Sequence, residues 1–555
     1  MNDRNAGGKR SLGCNWSWGL PIRILAVVLI SAGLFAVCDM VAASTQAAQA
    51  DSDRLKALSL LAEVKTALGG RRWDSIAVIS AEGSKSSYGM HGKYRSIDQL
   101  SNGFFLRRAE YPLFLNAEGL DGMGRWRQDN SGLLHPLDSD EAIAVAVTES
   151  YIARRGFLFP ERIQTQFGTE SDAVEGGRHV KRVRITPRGG REFTLSIDDV
   201  SRLPRQAVFQ LSVHVETVTF DDYRSVDGLL LPHQVSIEHG DEAENGTATI
   251  SVYAVGANAA APLVRPAANI SDVAWPADKR ETIARACLDP NSGFFVVDAM
   301  LNGQGPFPFI LDTGGHNILS PAIADLLKLD VAGKGFSTGA GAGSTPTQFT
   351  KVTALRVGAV AVSNQPFLVL HIDFGAASCS GEKPRRIAGL LGLELYERFA
   401  ITTDYRAGSV LLRPLLAAGE KAQAIKLPIR FTSDMPLVRA SLNGRSGWFA
   451  VDSGNNVEVI VFRNWAQTND LSPEVVASQS ARGMSVGGDL RFQHGRALSF
   501  KLGPVDLGAI DILFAQDKQG SLSARYEAGN IGNSVLKNFR VTVDYADGAI
   551  YLERQ

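Results

Sequence analysis

The sequence predicts a mainly β protein, with an N-terminal region that joins an antiparallel sheet to a few helices and a C-terminal region built from two copies of one unit. Three observations predict it. Glycine is frequent, at 55 of 555 residues, which favours many turns. Short segments of alternating apolar and polar residues recur in series, whereas helical periodicity is rare. Motifs in the C-terminal half recur at a constant spacing of 140 residues, which indicates an internal duplication.

Composition excludes several classes of protein. The chain has 57 basic and 58 acidic residues, and this balance gives no electrostatic reason to expect nucleic acid as a partner. The nine histidines are scattered, and no CxxC or HExxH motif occurs, so we expect no metal site. We expect no cofactor either, and the sequence does not indicate an oligomeric state.

The N-terminus has the order of an export signal. A basic start precedes an uninterrupted run of apolar and small residues at 24–38, and small residues with Ala-x-Ala sites follow up to Ala50. We therefore expect residues 1–50 to be a signal peptide and the mature protein to be periplasmic or secreted. An uncleaved membrane anchor is an alternative, although the run is shorter than the roughly 20 residues of a spanning helix. Lipid modification of Cys38 is a third possibility.

Residues 51–255 are predicted to form the first folded region. Ser52 is expected to cap a helix with apolar residues at positions 55, 58, 61, 64 and 68, and Ser139 to cap a second helix at 139–155. Short alternating segments, expected to be strands, lie at 75–79, 104–108, 125–128, 179–185, 192–197, 213–220, 230–237 and 247–252. Many strands with so little helix predict an antiparallel sheet with helices on one face.

The segment 220–232 contains the phrase Asp-Tyr-Arg-Ser-Val-Asp-Gly-Leu-Leu-Leu-Pro, in which Asp227-Gly228 is a tight hairpin turn. This phrase and the order of elements resemble the periplasmic lipoprotein-carrier fold, a curved half-barrel closed by helices. The resemblance implies that the concave face binds an acyl chain or another apolar ligand. The alternative is a structural module that only presents the C-terminal region.

A stretch rich in alanine and proline separates the two regions. Residues 257–261 are alanine except for Asn258, and Pro262, Pro266 and Pro276 follow. We therefore expect a linker at 256–285, followed by two lobes at 286–418 and 419–555.

The C-terminal duplication is centred on two short motifs, Asp312-Thr313-Gly314 and Asp452-Ser453-Gly454, each preceded by an apolar strand. One such motif is weak evidence, but the surroundings repeat with it. Residues 389, 392, 399, 402, 404, 405, 408 and 412 are each identical to the residue 140 positions later. Repetition at this many positions means two copies of one folding unit.

This unit resembles the retropepsin-like and pepsin-like aspartic proteases, over about residues 290–555. The resemblance implies two β lobes that meet at a cleft, with catalytic Asp312 and Asp452 sharing one proton and activating a water molecule. The expected function is that of an exported aspartic endopeptidase acting on a peptide or protein substrate. The hydroxyls of Thr313 and Ser453 would bond across the lobe interface, and Gly314 and Gly454 would let the backbone turn under the carboxylates.

The sequence also departs from the family pattern. Gly315 and Asn455 stand where Ala or Ser is usual. The family also has a hydrophobic-hydrophobic-Gly segment that packs beside each loop, here Leu390-Leu391-Gly392 and Asn530-Ile531-Gly532, so Asn530 replaces an apolar residue. We expect these changes to loosen the support of the second loop. They leave open the alternative of a non-catalytic periplasmic protein that binds a peptide, an apolar ligand, or both.

Two further features lie in the first lobe. Gly339, Gly341 and Gly343 occupy the position of the hairpin that covers substrate in the family, although an ordinary loop is the alternative. Cys287 and Cys379 are the only cysteines left once the signal is removed. In an oxidising compartment they would form a disulfide, and two buried free thiols are the alternative.

Overall fold

The computed structural model describes residues 48–128, 132–239, 245–256, 265–266, 270–341, 343–379, 383–471 and 480–555. The basic start, the apolar run and Cys38 of the predicted signal peptide lie outside the described residues. Among the residues that are described, no helix is both long enough and apolar enough to cross a membrane.

Two main helices and a long series of strands form the N-terminal region. Helix α1 ends at residue 67 and α2 spans Asp140–Ala153. Short 3-10 helices lie at Gly70–Ser75 and Gly156–Leu158. The strands are β1 Val78–Ser87, β2 Met90–Gln99, β3 Phe105–Glu110, β4 Leu115–Asp121, β5 Gly124–Gln128, β6 Leu134–Pro136, β7 Thr165–Thr169, β8 Ala173–Glu175, β9 Arg178–Pro187, β10 Phe193–Asp198, β11 Pro204–Gln210, β12 Val215–Val226, β13 Leu229–Glu238 and β14 Gly246–Gly256.

The caps of the two helices differ in how well the sequence predicted them. Ser139 caps α2 as predicted, because its hydroxyl accepts a hydrogen bond from Ala142 N at 3.1 Å. The prediction that Ser52 caps α1 is wrong, since the helix already includes residue 48. Leu55, predicted to be on the apolar face, is 64% exposed, whereas Leu61 and Val64 are buried.

The fourteen strands form one antiparallel sheet in the order β6-β5-β4-β3-β2-β1-β14-β13-β12-β11-β10-β9-β7, with β8 beside β9. Asp227 and Gly228 both have positive φ and join β12 to β13, the tight turn that the sequence predicts. Helix residues such as Leu61, Val64 and Tyr151 pack with sheet residues such as Ile185 and Leu195 in one core. The predicted antiparallel sheet with helices on one face is therefore confirmed.

The first part of the C-terminal region contains α3 (Pro321–Leu326) and α4 (Leu393–Tyr396). Its strands are β15 Val273–Ala274, β16 Thr282–Leu288, β17 Phe295–Leu301, β18 Gln304–Leu311, β19 Ile318–Leu319, β20 Val331–Ser337, β21 Thr345–Val357, β22 Val360–Leu370, β23 Ala376–Ala377, β24 Arg385–Arg386, β25 Gly389–Leu391, β26 Ala400–Asp404 and β27 Ser409–Arg413. Strand β15 pairs with β22 and β16 pairs with β27, so part of the predicted linker at 256–285 belongs to the sheet of this lobe.

The second part contains α5 (Ala418–Gln423), α6 (Arg463–Thr468), a 3-10 helix at Ser521–Ser523 and α7 (Asn533–Leu536). Its strands are β28 Ile425–Pro428, β29 Arg430–Phe431, β30 Pro436–Leu442, β31 Arg445–Val451, β32 Val459–Val461, β33 Ser480–Ser485, β34 Gly488–Ala497, β35 Phe500–Leu502, β36 Val505–Asp506, β37 Ile510–Ala515, β38 Gly529–Ile531, β39 Phe539–Asp544 and β40 Ala549–Arg554.

The two parts have the same topology and are related by a pseudo-twofold axis. The strand order β20-β21-β22-β19-β25-β18-β17 in the first lobe matches β33-β34-β37-β32-β38-β31-β30 in the second. Strand β26 pairs antiparallel with β39, and there Thr402 faces Thr542 with their hydroxyl oxygens 2.8 Å apart. A residue that pairs with its own counterpart in the other copy lies at the symmetry axis.

Candidate active site

The loop with Asp312-Thr313-Gly314 follows β18, and the loop with Asp452-Ser453-Gly454 follows β31. The two loops lie at equivalent positions in the two lobes. Each loop is held by a parallel neighbour strand, β25 or β38. Asp312 N donates to Leu391 O at 2.9 Å, and Asp452 N donates to Ile531 O at 3.0 Å. The hydrophobic-hydrophobic-Gly segments of the sequence therefore fix the start of each loop.

Thr313 and Ser453 bond reciprocally across the axis. Thr313 N donates to Ser453 Oγ and Ser453 N donates to Thr313 Oγ1, both at 3.0 Å. Each hydroxyl then donates to a main-chain carbonyl of the opposite lobe, Val451 O from Thr313 and Leu311 O from Ser453, both at 2.7 Å. All four bonds are buried, so the loops are locked to each other as one unit.

This lock brings the carboxylates of Asp312 and Asp452 into hydrogen-bonding contact. Gly314 N donates to Asp312 Oδ1 and Gly454 N donates to Asp452 Oδ1, both at 2.8 Å. A Cβ atom on Gly314 would lie 2.7 Å from Asp452 Cγ, and one on Gly454 would lie 2.5 Å from Asp312 Cγ. Only glycine leaves room at these two positions for the opposite carboxylate.

Burial raises the pKa of both carboxyl groups. Burial and the neighbouring charge of Asp452 raise the pKa of Asp312 well above its usual range. Burial also raises the pKa of Asp452, but a hydrogen bond from Asn530 opposes the rise. Two carboxyl groups in such contact hold one proton between them, because both cannot be charged at once.

A chain of side-chain amides distinguishes the second aspartate from the first. Val457 N donates to Asn455 Oδ1 at 3.0 Å, Asn455 Nδ2 donates to Asn530 Oδ1 at 2.9 Å, and Asn530 Nδ2 donates to Asp452 Oδ2 at 2.6 Å. The first donor is a main-chain N–H, so the orientation of both amides is fixed. The expectation that Asn455 and Asn530 loosen the second loop is therefore wrong, since they connect it to Asp452. In the first lobe the position of Asn530 is taken by Leu390.

The glycine-rich hairpin predicted to cover substrate meets its counterpart from the second lobe. Gly341 N donates to Val486 O at 3.1 Å and Gly343 N donates to Gly487 O at 2.8 Å. Gly339 O accepts a hydrogen bond from Ser521 N at 2.9 Å. The loop between β20 and β21 thus touches the turn between β33 and β34, so both lobes contribute a hairpin to this contact.

Cys287 and Cys379 form a disulfide, with their Cα atoms 5.8 Å apart. Cys287 lies in β16 and Cys379 follows β23, so the bond closes a long loop within the first lobe. The sequence left open whether these two cysteines pair or stay free thiols, and in the structure they are paired. No group of acidic, histidine or cysteine side chains in the described part of the chain has the arrangement of a metal site.

The half-barrel of the N-terminal region encloses a cavity of about 230 Å³. Apolar side chains such as Phe209 and Ile250 line part of it, and charged side chains line the rest, among them Lys85, Asp98, Arg107, Glu118 and Glu216. The expectation of an apolar concave face is therefore only partly met, because the lining is amphipathic.

Comparison with known proteins agrees with this site. Residues 297–395, which include the first aspartate, match the aspartyl protease family model. No curated protein sequence gives a significant match to the chain. The matched segment confirms the resemblance of the C-terminal region to aspartyl proteases.

Similar solved structures fall on both regions. A retropepsin-like aspartic protease from Rickettsia conorii is 17% identical, with 23% of this chain and 89% of that chain covered and a TM-score of 0.19. A LolA superfamily protein from Nitrosomonas europaea is 14% identical, with coverages of 35% and 90% and a TM-score of 0.25. Basic 7S globulin from soybean is 11% identical, with coverages of 49% and 94% and a TM-score of 0.28.

Proposed function

We propose that the protein is an exported aspartic endopeptidase that hydrolyses peptide bonds with a water molecule activated by Asp312 and Asp452. The observation that carries the proposal is the contact of the buried carboxylate of Asp312 with the partly buried carboxylate of Asp452, on loops held by the reciprocal hydrogen bonds of Thr313 and Ser453. A pair of carboxylates that shares one proton can act as base and acid in the same step.

The amide chain supports a division of roles between the two aspartates. Asn530 donates to Asp452, which favours the ionised form of that carboxylate. Asp452 then removes a proton from water as the water oxygen bonds to the peptide carbonyl carbon, and Asp312 gives its proton to the carbonyl oxygen. In the second step Asp452 protonates the amide nitrogen, Asp312 recovers a proton from the tetrahedral intermediate, and the C–N bond breaks. The products are a carboxylic acid and an amine, and the shared proton is back on Asp312.

The proposal is tested by cleavage of a mixed peptide library by the wild-type chain and by Asp312→Asn, Asp452→Asn and the double variant. Each single change removes the base or the acid, so we expect a loss of about 10²–10⁴-fold. The double variant should be little worse than either single one, because the residues act as a unit. Asp511→Asn is a matched control, since Asp511 is an exposed residue of the second lobe that pairs with Arg496. A folded single variant that keeps most of its activity would show that the reaction lies elsewhere.

Export is the part of the proposal that rests on the sequence. The basic start and apolar run of residues 1–38 have the order of a signal peptide, and a Cys287–Cys379 disulfide fits an oxidising compartment. A reporter fused after residue 60 should be active only outside the cytoplasm, and reporter activity in the cytoplasm would refute export.

A second candidate function concerns the half-barrel cavity. Its lining of apolar and charged side chains supports binding of an amphipathic ligand, which can place an apolar part against Phe209 and Ile250 and a polar part near Arg107. Such binding is compatible with the peptidase. Ligand binding would be the remaining candidate function if the aspartate variants left peptide cleavage unchanged.

A further inference from the structure

Five ionisable side chains form an unbroken row, in the order Glu394, His316, Asp434, His135 and Glu397. The two terminal glutamates and His316 belong to the first lobe, Asp434 to the second lobe and His135 to the N-terminal region. In this ionic row, His316 Nδ1 lies 2.8 Å from Glu394 Oε1 and His316 Nε2 lies 3.0 Å from Asp434 Oδ2. His135 Nε2 lies 3.2 Å from Asp434 Oδ1 and His135 Nδ1 lies 2.9 Å from Glu397 Oε1. Asp434 thus sits between two histidines, one from each region.

The geometry indicates that both histidines are charged. A carboxylate only accepts hydrogen bonds, and a neutral imidazole has a single N–H. Each ring nitrogen of His316 and of His135 lies within 3.2 Å of a carboxylate oxygen, so an unprotonated nitrogen would bring its lone pair close to that oxygen. Arg127 approaches Asp434 at 3.4 Å, and with two imidazolium ions the three acids and three bases of the cluster are neutral in sum.

The electrostatics agree with this assignment. Burial disfavours the charged form of His135, but its contacts with Asp434 and Glu397 prevail and raise its pKa to about 9. Burial likewise opposes charge on His316, and Glu394 and Asp434 raise its pKa well above the usual range. Burial alone would raise the pKa of Asp434, but Arg127 and the two histidines hold it well below its usual range.

The ionic row touches the loop that carries the first aspartate. His316 follows Gly315, whose Cβ position lies 2.9 Å from Asp312 Oδ2. Asn317 N also donates to Glu394 Oε2 at 2.8 Å, so the main chain on the far side of His316 is held as well. On the other flank, the methyl carbon of Met435, the residue after Asp434, lies 3.0 Å from the Cβ position of Gly314. A shift of the row would therefore shift the loop.

His135, the member of the row that comes from the N-terminal region, is firmly placed. His135 lies in β6, is 4% exposed, and its ring packs against Phe431 with 5.8 Å between centroids. Three and four residues further along the chain, Asp138 N and Ser139 N both donate to Phe431 O, at 2.9 and 3.1 Å. Arg430 pairs with Asp138 at 2.5 Å. The segment that carries His135 is thus fastened to the second lobe beside Asp434.

We propose that His135 is a positioning residue of the aspartic site, which acts through Asp434 and His316 to hold the first catalytic loop. The inference rests on the proposed peptidase function and adds to it that the site is complete only with the N-terminal region in place. The other charged or titratable groups packed around the row are Arg127, Arg398, Tyr396 and Tyr545. None of them stands between His135 and Asp434.

The test uses the full chain with His135→Gln, Asp434→Asn and the control His179→Gln, in which an exposed histidine of the same sheet is changed. Peptide cleavage is measured from acid to alkaline pH, and circular dichroism and cooperative melting establish folding. We expect kcat of His135→Gln to fall roughly 10- to 100-fold with little change in KM, because the reacting groups are misplaced while the cleft is not. Asp434→Asn should in addition move the alkaline limb of the profile to lower pH, since His316 loses an anionic partner. His179→Gln should match the wild type.

A second readout does not depend on cleavage. In chains labelled with nitrogen-15 at histidine, nuclear magnetic resonance follows the titration of each imidazole. Asp434→Asn should lower the pKa of both His316 and His135, because both lose the same carboxylate.

The outcomes separate the two proposals. A wild-type chain that cleaves no peptide overturns the peptidase and the positioning role together. The histidine titrations then test only the electrostatic coupling of Asp434 to His316 and His135. Wild-type kcat and pH profile in a folded His135→Gln protein would overturn the positioning role while the peptidase stands. A lower rate at every pH without a shifted limb in Asp434→Asn would mean that the row only stabilises the fold.

Discussion

Replacing Asn530 by leucine gives the second lobe the residue that the first lobe has at the equivalent position, Leu390. In the structure Asn530 Nδ2 donates to Asp452 Oδ2 at 2.6 Å. The substitution removes this donor from a carboxylate that also accepts from Gly454 N at 2.8 Å. The ionised form of Asp452 therefore loses its side-chain hydrogen bond from the second lobe and keeps those from the main chain.

The size of the effect follows from the kind of bond that is lost. A hydrogen bond to a charged group contributes about 1.5–3 kcal/mol, and one pKa unit corresponds to about 1.4 kcal/mol. A donor bound to the charged form lowers the pKa, so its removal raises it. The first ionisation of the Asp312–Asp452 pair should therefore move up by about 1–2 units. The variant also leaves Asn455 Nδ2 without its acceptor, at a cost of about 1–3 kcal/mol in the free energy of unfolding.

The assay is the pH dependence of kcat/KM for one peptide substrate. The acid limb reports the formation of the singly ionised pair in the free enzyme, so it should move to higher pH by about 1–2 units in Asn530→Leu. Asn538→Leu is a matched control, because Asn538 lies in the same lobe and donates to Val535 O, away from the carboxylates. An unmoved acid limb in a folded Asn530→Leu protein would refute the assignment of Asp452 as the ionised partner.

Two further predictions follow from the same structure. The raised pKa of Asp312 means that the folded chain holds more protons than the unfolded chain above pH 3.8, so this group costs stability as the pH rises toward its folded pKa. Asp312→Asn should accordingly raise the thermal midpoint at neutral pH but not below about pH 3.8, and an equal midpoint at neutral pH would contradict this. The Cys287–Cys379 bond spans a sequence separation of 92, so changing both residues to serine should lower the free energy of unfolding by about 4 kcal/mol. Denaturant titration measures the loss, and two labelled thiols in the denatured, unreduced wild type would show that the bond does not form.

The sequence predicted the parts of the molecule that follow from periodicity and repetition. A spacing of 140 residues relates Asp312 to Asp452 and also Thr402 to Thr542, and the latter pair meets at the symmetry axis. Equivalent residues of a duplicated unit approach each other at that axis, so the contact of the two aspartates could be anticipated. Alternating segments likewise predicted most strands of the N-terminal sheet.

What the sequence could not predict are contacts between residues that no repeat relates. His135 and Asp434 are about 300 positions apart, and only the docking of β6 beside the turn before β30 brings them together. The lining of the half-barrel cavity mixes charged pairs such as Arg107–Asp98, at 2.6 Å, with apolar residues. A strand pattern shows which side chains share a face, but the pairing of charges on that face depends on the register of several strands.

The departures from symmetry are where the chemistry of the site is decided. Two identical lobes would present two equivalent carboxylates, and the shared proton would have no preferred place. Peptide hydrolysis needs one base and one acid at the same moment. Asn530 donates to Asp452, whereas Leu390 holds the matching position near Asp312. In the proposed mechanism this difference makes Asp452 the ionised partner and Asp312 the carrier of the proton. His316 adds a second difference, because Asn456 takes its place in the second lobe and the ionic row connects the first loop to His135 of the N-terminal region. The residues that break the repeat thus give each aspartate its own role, while the residues that keep it hold the two together.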